Sequence, residues 1–453
     1  MSLSKKILKG TVTFSSGTLI LTFIHFATAI LVIRWLGIED YGQLVLALSI
    51  YAIASMFLDP GIGGLIVSEV AKGRGGQQPG KVKLFLVRYG QMELGLGLFL
   101  FLSMFFASSL LEVFVPREVV LIVGVYLLFT GIKNIFIISF FSHTLYHYQV
   151  LLDVMHSIGR LILVILLLGW LKMGLFGAMI TYPLSLMLAI VFILPFWLKS
   201  VSYLKKTESP KGSIFSTLLK DQGKFVVLLT TVKRVQDQVP VWILKGILGS
   251  EAVAIYGVAQ KAFSFLFSFY RTLETTIFPL ASEMISSQWS KVKEMVGRSM
   301  KYSLWISLLV VPVAWIVAPF LFELAFSEKY VTSVPVFRLF LLFLFIYSFT
   351  LLIQRPLFFA LGALEYHFYC YLLSIGLYSL MLWLLISQMG VSGAVWALII
   401  NRVAIGYLQF YFIKKIKPDL KISIWSVFYF DTFDKDIFKK GWRVVSQKFG
   451  SLL

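Results

Sequence analysis

The chain has 453 residues, 58% hydrophobic and only 14% charged, yet it carries a net charge of +19. A soluble domain of this length could not hide so much apolar surface, so hydrocarbon must supply the missing burial. The single cysteine, Cys370, excludes an internal disulfide framework and a cysteine metal cage.

At the N-terminus, Lys5, Lys6 and Lys9 precede a long apolar run without a small-residue cleavage site, so no cleavable signal peptide is expected. A helix needs roughly 20 mainly apolar residues to cross a bilayer core. On that measure twelve spans are predicted, near 11–34, 42–67, 84–110, 119–141, 150–170, 174–198, 224–248, 253–279, 302–322, 334–354, 366–387 and 391–413. The fold class is an all-α polytopic membrane protein.

The cations follow these spans. With the N-terminus in the cytoplasm, 27 of the 41 Lys and Arg fall in the N-tail, the even-numbered loops and the C-tail, and five in the opposite loops (Arg34, Arg117, Lys172, Lys245, Lys329). This is the positive-inside pattern, and it predicts both termini in the cytoplasm of a cell-membrane protein. The basic balance then reflects topology and contact with anionic lipids. A nucleic-acid partner is not expected, because no soluble basic domain carries phosphate contacts.

The longest polar interruption, Lys199–Lys224, divides the chain into six spans and six spans. Residues 1–198 are expected to form a first six-helix bundle, 199–223 a basic cytoplasmic linker, 224–413 a second bundle and 414–453 a basic amphipathic tail. The halves carry matching fragments. Leu36-Gly37-Ile38-Glu39 reappears as Leu248-Gly249-Ser250-Glu251, Tyr41-Gly42 as Tyr256-Gly257, Ser157-Ile158-Gly159 as Ser374-Ile375-Gly376 and Met173-Gly174 as Met389-Gly390, at offsets of 212, 215, 217 and 216. Six spans per copy put the halves in the same direction, as two parallel repeats with a substrate site expected between them near the midplane.

Polar stripes run inside the spans. Thr11, Ser15, Thr18, Thr22 and His25 stack on one face of span 1. Thr230, Lys233, Arg234, Asp237 and Gln238 form a stripe on span 7, and Lys261, Ser264, Ser268, Arg271 and Thr275 another on span 8. Asp59 precedes Pro60-Gly61 in span 2, and a shift of 215 places it on Glu274. Charges facing lipid at mid-depth cost at least about 2.5–3.5 kcal/mol, so these groups must face each other or water. Pairs such as Lys233 with Asp237 and Arg271 with Glu274 are one solution. Four cations against two carboxylates leave a surplus, which suits an anionic ligand such as pyrophosphate, held by Lys233, Arg234, Lys261 and Arg271 with His25 and Gln238. Asp237, Asp59 and Glu274 are candidates for coupling to H⁺ or Na⁺, with His25 as a group that titrates near neutral pH.

Arg88, Glu93, Lys133, Asp153, Arg160 and Arg402 read as structural charges toward helix ends, free to snorkel. His143, His147, Asp153 and His156 lack a metal-protease spacing, and no metal, cofactor or catalytic residue is expected. Asp434-Lys435-Asp436 looks like a nucleotide-sugar motif, but has no globular domain around it.

The stretch Lys9–Lys72, with Arg34-Trp35-Leu36-Gly37-Ile38-Glu39-Asp40-Tyr41-Gly42, resembles the start of polysaccharide-biosynthesis (O-antigen-type) flippases of the multidrug/oligosaccharidyl-lipid/polysaccharide exporter superfamily. Asp237 to Ala259, Phe326-Ser327-Glu328-Lys329-Tyr330 and Phe359-Ala360-Leu361-Gly362 fit the same pattern. The resemblance implies two six-helix bundles with spans 1, 2, 7 and 8 around a central cavity. It also implies translocation of a polyprenyl-pyrophosphate-linked oligosaccharide by alternating access, alongside other polysaccharide-assembly membrane proteins, with the cavity cations on the pyrophosphate. Span 1 departs from the family in having no mid-helix arginine. Two alternatives remain: a multidrug or small-cation exporter of the related family, which wants acidic and aromatic cavity residues, and a membrane-embedded glycan polymerase or glycosyltransferase, which wants a long loop or a soluble domain.

Overall fold

The computed structural model describes residues 20–58, 60–204, 207–208, 215, 224–284, 289–350, 358, 361 and 363–418; the side chains of 224–226, 269, 271–284, 350 and 364 lie outside that description. The chain runs through α1 (Ile20–Trp35), α2 (Ile38–Ala54), α3 (Gly63–Gly75), α4 (Pro79–Leu111), α5 (Arg117–Ser142), α6 (Tyr146–Val164) and α7 (Gly174–Val201). It continues through α8 (Lys224–Leu248), α9 (Ser250–Met284), α10 (Trp289–Phe326), α11 (Val334–Thr350), α12 (Leu364–Met389) and α13 (Val391–Ile416). A π-helical turn, Ile165–Trp170, continues α6, and a 3₁₀ segment, Glu328–Ser333, leads into α11. Among the described residues there is no strand.

Four of the breaks between helices fall on a glycine. Gly61, Gly174, Gly249 and Gly390 all have positive φ, at 89°, 56°, 87° and 61°, a region open to glycine at little steric cost. Gly61 corrects one expectation. Span 2 is not a continuous helix over 42–67: α2 ends at Ala54 and α3 starts at Gly63, with Pro60-Gly61 between them. Pro60 would remove a helical hydrogen bond, and Gly61 turns left-handed. Elsewhere prolines sit inside long helices (Pro183, Pro195, Pro240, Pro312, Pro319) without ending them, as neighbouring helices allow in membranes.

Among the described residues eight helices are long and apolar enough to cross a membrane, and the protein is multi-pass. The spans outside that set are the first, second, seventh and eighth. For span 2 the reason is the break; α8 and α9 carry the interior charges. Large apolar side chains such as Phe99, Phe106, Trp170, Leu309, Ile316 and Leu373 project outward from α4, α6, α10 and α12, a surface only lipid can cover.

The main buried cluster is continuous across the two sets of helices: Ile33, Leu36 and Tyr41 belong to it together with Val258, Phe340 and Leu382. The crossing of α2 with α9 is close. A Cβ on Gly42 would run into the Ser250 carbonyl, and one on Gly257 would meet Val45 and Tyr41. The matching Tyr-Gly fragments therefore meet at the same crossing. Small residues let membrane helices approach backbone to backbone, where packing drives association.

The halves are held together from one end of the bundle. There Lys329 Nζ donates to the carbonyls of Arg34 (3.1 Å) and Leu36 (2.5 Å), and Arg34 donates to the Leu324 carbonyl (3.2 Å). Deeper in, Trp242 Nε1 donates to Ser49 Oγ (2.8 Å) and Arg234 to the Ser55 carbonyl (3.2 Å). At 1.5 Å per residue along α2 these contacts extend roughly 20–25 Å from the Lys329 end.

Candidate functional site

Two polar regions lie in the interior at mid-depth. The first lies where α1 touches both α6 and α9. His25 Nε2 is 3.4 Å from Ser157 Oγ of α6. Next to it, Phe26 stacks on Phe265 of α9 at 4.4 Å between centroids. Lys261 lies one turn from Phe265, and both Lys261 and Arg160 are within electrostatic reach of His25. His25, Arg160 and Lys261 stand 10, 10 and 11 residues from the Trp35, Trp170 and Ser250 ends of their helices. At 1.5 Å per residue each is about 15 Å deep, half of a core of about 30 Å. Lys261 and His25 are both solvent-accessible, and each lies within electrostatic reach of Arg160. Charges at this depth belong on a wall that faces water rather than lipid.

Arg160 shapes this wall. Its guanidinium lies over the Tyr182 ring at 3.7 Å, a cation–π arrangement, and its buried Nε has no hydrogen-bond partner among the described residues. Lys133 is paired to Asp153 at 2.7 Å, so the carboxylate placed here among the described residues is already matched to a lysine. Among those residues Arg160 and Lys261 are surplus positive charge. Buried guanidinium N–H groups are costly to leave unmade, and a planar donor fork suits a phosphoryl group. Arg160 and Lys133 were expected to be structural charges near helix ends; Arg160 instead stands at mid-depth beside His25. The signal was present, since Asp153, Ser157 and Arg160 are spaced four and three, the same rule as the other stripes.

The second region is an open cavity of ≈ 560 Å³ lined by α8, α9, α11, α12 and α13, with every described lining residue in the second half. Lys233, Asp237 and Gln238 line it, with Arg402 from α13 and a ring of aromatic side chains including Phe263, Tyr347 and Tyr371. On its wall Gln236 donates to Ser374 (2.7 Å), which donates to Asn401 Oδ1 (2.9 Å). Arg402 lies over Tyr347 at 5.0 Å. Lys233 Nζ is 5.9 Å from the Tyr371 centroid.

The expected grip of four cations is therefore divided. Lys261 joins His25 between the halves. Lys233 joins Asp237 and Gln238 in the second-half cavity. Arg234 turns to Ser55 of the first half; neighbours on a helix point about 100° apart, so Lys233 and Arg234 cannot share one target. The side chains of Arg271 and Glu274, and residue Asp59, lie outside the described residues, as do Thr11, Ser15 and Thr18. So does most of the tail, including Asp434-Lys435-Asp436. Glu93, expected near a helix end, is fully buried and accepts from Asn134 at 3.2 Å. His143 is engaged at both ring nitrogens, by the Ser139 carbonyl (2.7 Å) and the Tyr203 hydroxyl (2.8 Å).

Comparison with known proteins follows the same lines. The family model described as polysaccharide biosynthesis protein matches residues 7–285. A search of curated proteins gave no match. Among solved structures, an inward-facing multidrug resistance MATE family transporter of the MOP superfamily is 16% identical, with a TM-score of 0.73, covering 89% of this chain and 96% of its own. The outward-facing conformation of such a transporter gives 17% and 0.67, covering 92% and 97%. A MOP superfamily transporter from Pyrococcus furiosus, described by the reverse polarity of its binding pocket, gives 17% and 0.66, also covering 92% and 97%. At these identities the likeness is one of fold: about twelve helices arranged as in the MATE transporters.

Proposed function

Because the chain belongs to the polysaccharide biosynthesis protein family, we propose that it is a flippase moving a polyprenyl-pyrophosphate-linked oligosaccharide across the cell membrane by alternating access. The observation that carries this reading is the placement of cations from both halves around one mid-membrane space: Lys261 of α9 opposite His25 and Arg160, with the nearby carboxylate Asp153 already paired to Lys133. A surplus of intramembrane cations calls for an anionic partner, and a pyrophosphate supplies one when substrate is bound. In the empty state water in the same space solvates them. The lipid tail stays in the bilayer, and only the headgroup crosses between the halves. On this reading substrate enters from the end opposite Lys329, and the positive-inside count supports a cytoplasmic assignment of that end. H⁺ or Na⁺ binding at Asp237 would bias the exchange only by favouring one state.

The second reading is a multidrug or small-cation exporter. It is favoured by the MATE-like fold and by aromatic rings around Asp237, and opposed by Lys233 and Arg402 on the same walls. Proteoliposomes separate the two. A labelled polyprenyl-pyrophosphate oligosaccharide placed in one leaflet should become accessible to a membrane-impermeant oxidant on the other side, and Lys261→Ala should abolish this. Export of tetraphenylphosphonium, with no movement of the lipid-linked sugar, would overturn the flippase reading. Repeating the assay with and without proton and sodium gradients tests coupling.

A further inference from the structure

We infer that the ≈ 560 Å³ cavity inside the second half is a saccharide-binding subsite, separate from the phosphate-binding space between the halves. The inference rests on the flippase reading and deepens it: the headgroup is held in two places, its pyrophosphate by Lys261 and Arg160 and its sugar among α8, α9, α11, α12 and α13.

The walls select this ligand class by elimination. A lipid tail is excluded by lining amides and charges that hydrocarbon would leave unsolvated, each at a cost of a few kcal/mol. Among the described lining residues an organic cation would meet Lys233 and Arg402 against one carboxylate, Asp237, so like charge opposes it. A small inorganic anion would not fill a space of drug-sized ligand volume. What remains is a polyhydroxylated, uncharged or acidic molecule. Gln238, Gln260 and Asn401 offer paired donors and acceptors for hydroxyls, and aromatic faces such as Tyr371 and Phe263 cover the apolar C–H faces of a sugar ring.

The geometry also connects the two places. Ser264 lines the cavity and is exposed, and it lies one turn from Lys261 on α9, so residues three apart share a face. A headgroup whose pyrophosphate sits at Lys261 can therefore lay its first sugars past Ser264 into the cavity without crossing a wall. The buried chain Gln236–Ser374–Asn401 holds Asn401 in one orientation, as a site that recognises hydroxyls requires.

The test uses the full-length protein in lipid nanodiscs and three probes: the free oligosaccharide released by mild acid from the host's lipid-linked precursor, undecaprenyl pyrophosphate without sugar, and tetraphenylphosphonium. By calorimetry the wild type should bind the first two. The Gln238→Ala/Gln260→Ala variant should lose affinity for the oligosaccharide by about tenfold or more while keeping undecaprenyl pyrophosphate within about twofold; Lys261→Ala should do the reverse. A second measurement is independent of how those variants fold. In Ser264→Cys, where Cys370 is buried, the oligosaccharide should protect the new thiol from maleimide. Binding of undecaprenyl pyrophosphate with no binding of the oligosaccharide, or oligosaccharide binding lost only in Lys261→Ala, overturns the saccharide subsite and leaves the flippase reading standing. Binding of tetraphenylphosphonium alone overturns both.

Discussion

Lys329 Nζ lies 3.1 Å from the Arg34 carbonyl and caps the Leu36 carbonyl beside it, so a cation from the second half closes onto the first connection of the first half. Both carbonyls lie where α1 ends and α2 begins, and the last carbonyls of a helix lack intrahelical partners. The bond therefore joins the halves through atoms that would otherwise need water. Under the proposed alternating access, opening this end would break it.

Lys329→Ala should shift the protein toward the state open at this end. Lys329 is half-buried, and a charged hydrogen bond in such a place contributes about 1.5 kcal/mol, roughly tenfold in the ratio of states. Distances between spin labels at Glu39 and Glu251 should lengthen in the variant. An unchanged distance distribution would show that the α2–α9 crossing alone keeps the end closed.

Gly42→Val should be worse than any change at Lys329. The added side chain would meet the Ser250 backbone, which cannot rotate away, so α2 and α9 must separate. Overpacking of this kind costs about 1–3 kcal/mol, and here it falls on one conformation. The variant should insert and express, remain open at the Lys329 end, and fail to translocate substrate. Normal transport by Gly42→Val would place the crossing outside the conformational cycle.

Arg160→Ala should abolish complementation of a flippase-deficient strain, while Arg160→Lys restores part of it by keeping the charge without the planar fork. Lys133→Ala should act differently, because it strands Asp153 after the loss of a 2.7 Å ion pair; Lys133→Ala/Asp153→Ala should then recover activity that the single variant lacks. Equal loss in all four variants would point to folding rather than substrate binding.

Glu69 provides a check on pH outside the membrane. Hydrogen bonds from Lys72 and Lys81, at 2.7 and 2.8 Å, hold its carboxyl below the ordinary carboxylate range. A depressed folded-state value means the stabilisation is present at neutral pH and is lost as pH falls through that value. Glu69→Gln should lower the melting temperature at pH 7, and the difference should vanish in strong acid. A difference that persists in acid would mean that the ion pairs are not its source.

Orientation is tested by cysteine labelling. Ser209→Cys and Ser327→Cys should react from opposite sides of the membrane, Ser209 from the cytoplasm, against the low background of buried Cys370. Labelling of both from one side would overturn the topology drawn from the loop cations.

Much of the helix layout was legible because apolar length is a one-dimensional property: α4, α5, α7 and α13 begin and end close to the positions their hydropathy predicts. The interruption at Pro60-Gly61 was visible as residues but not as a break, since apolar neighbours on both sides carry a single span across it. Lys261 was legible from its stripe. Arg160 is not legible as an isolated charge and joins a stripe only with Ser157 and Asp153, one and two turns before it. Lys233 and Arg234 show the opposite error: two adjacent cations read as one binding face, although a helix turns them toward different halves. The second-half cavity depends on how five helices close around Gln238 and Arg402, which no spacing within one helix records.

The break between α2 and α3 has a mechanical consequence. Its counterpart in the second half, α9, runs from Ser250 to Met284 without interruption, although the two elements cross each other and carry the same Tyr-Gly fragment. One half thus has a joint at the depth where its partner has a continuous strut. Under the proposed alternating access, the exchange between inward- and outward-open forms would then not be two copies of one motion. The portion beyond Gly61 packs on α4 and α5. It would move with them about the joint while α2 stays pinned against α9, one end opening by bending at that joint and the other by parting two helices. Two doors of unlike construction answer to different forces, and a substrate or ion that acts on the joint can unlock one of them without loosening the other.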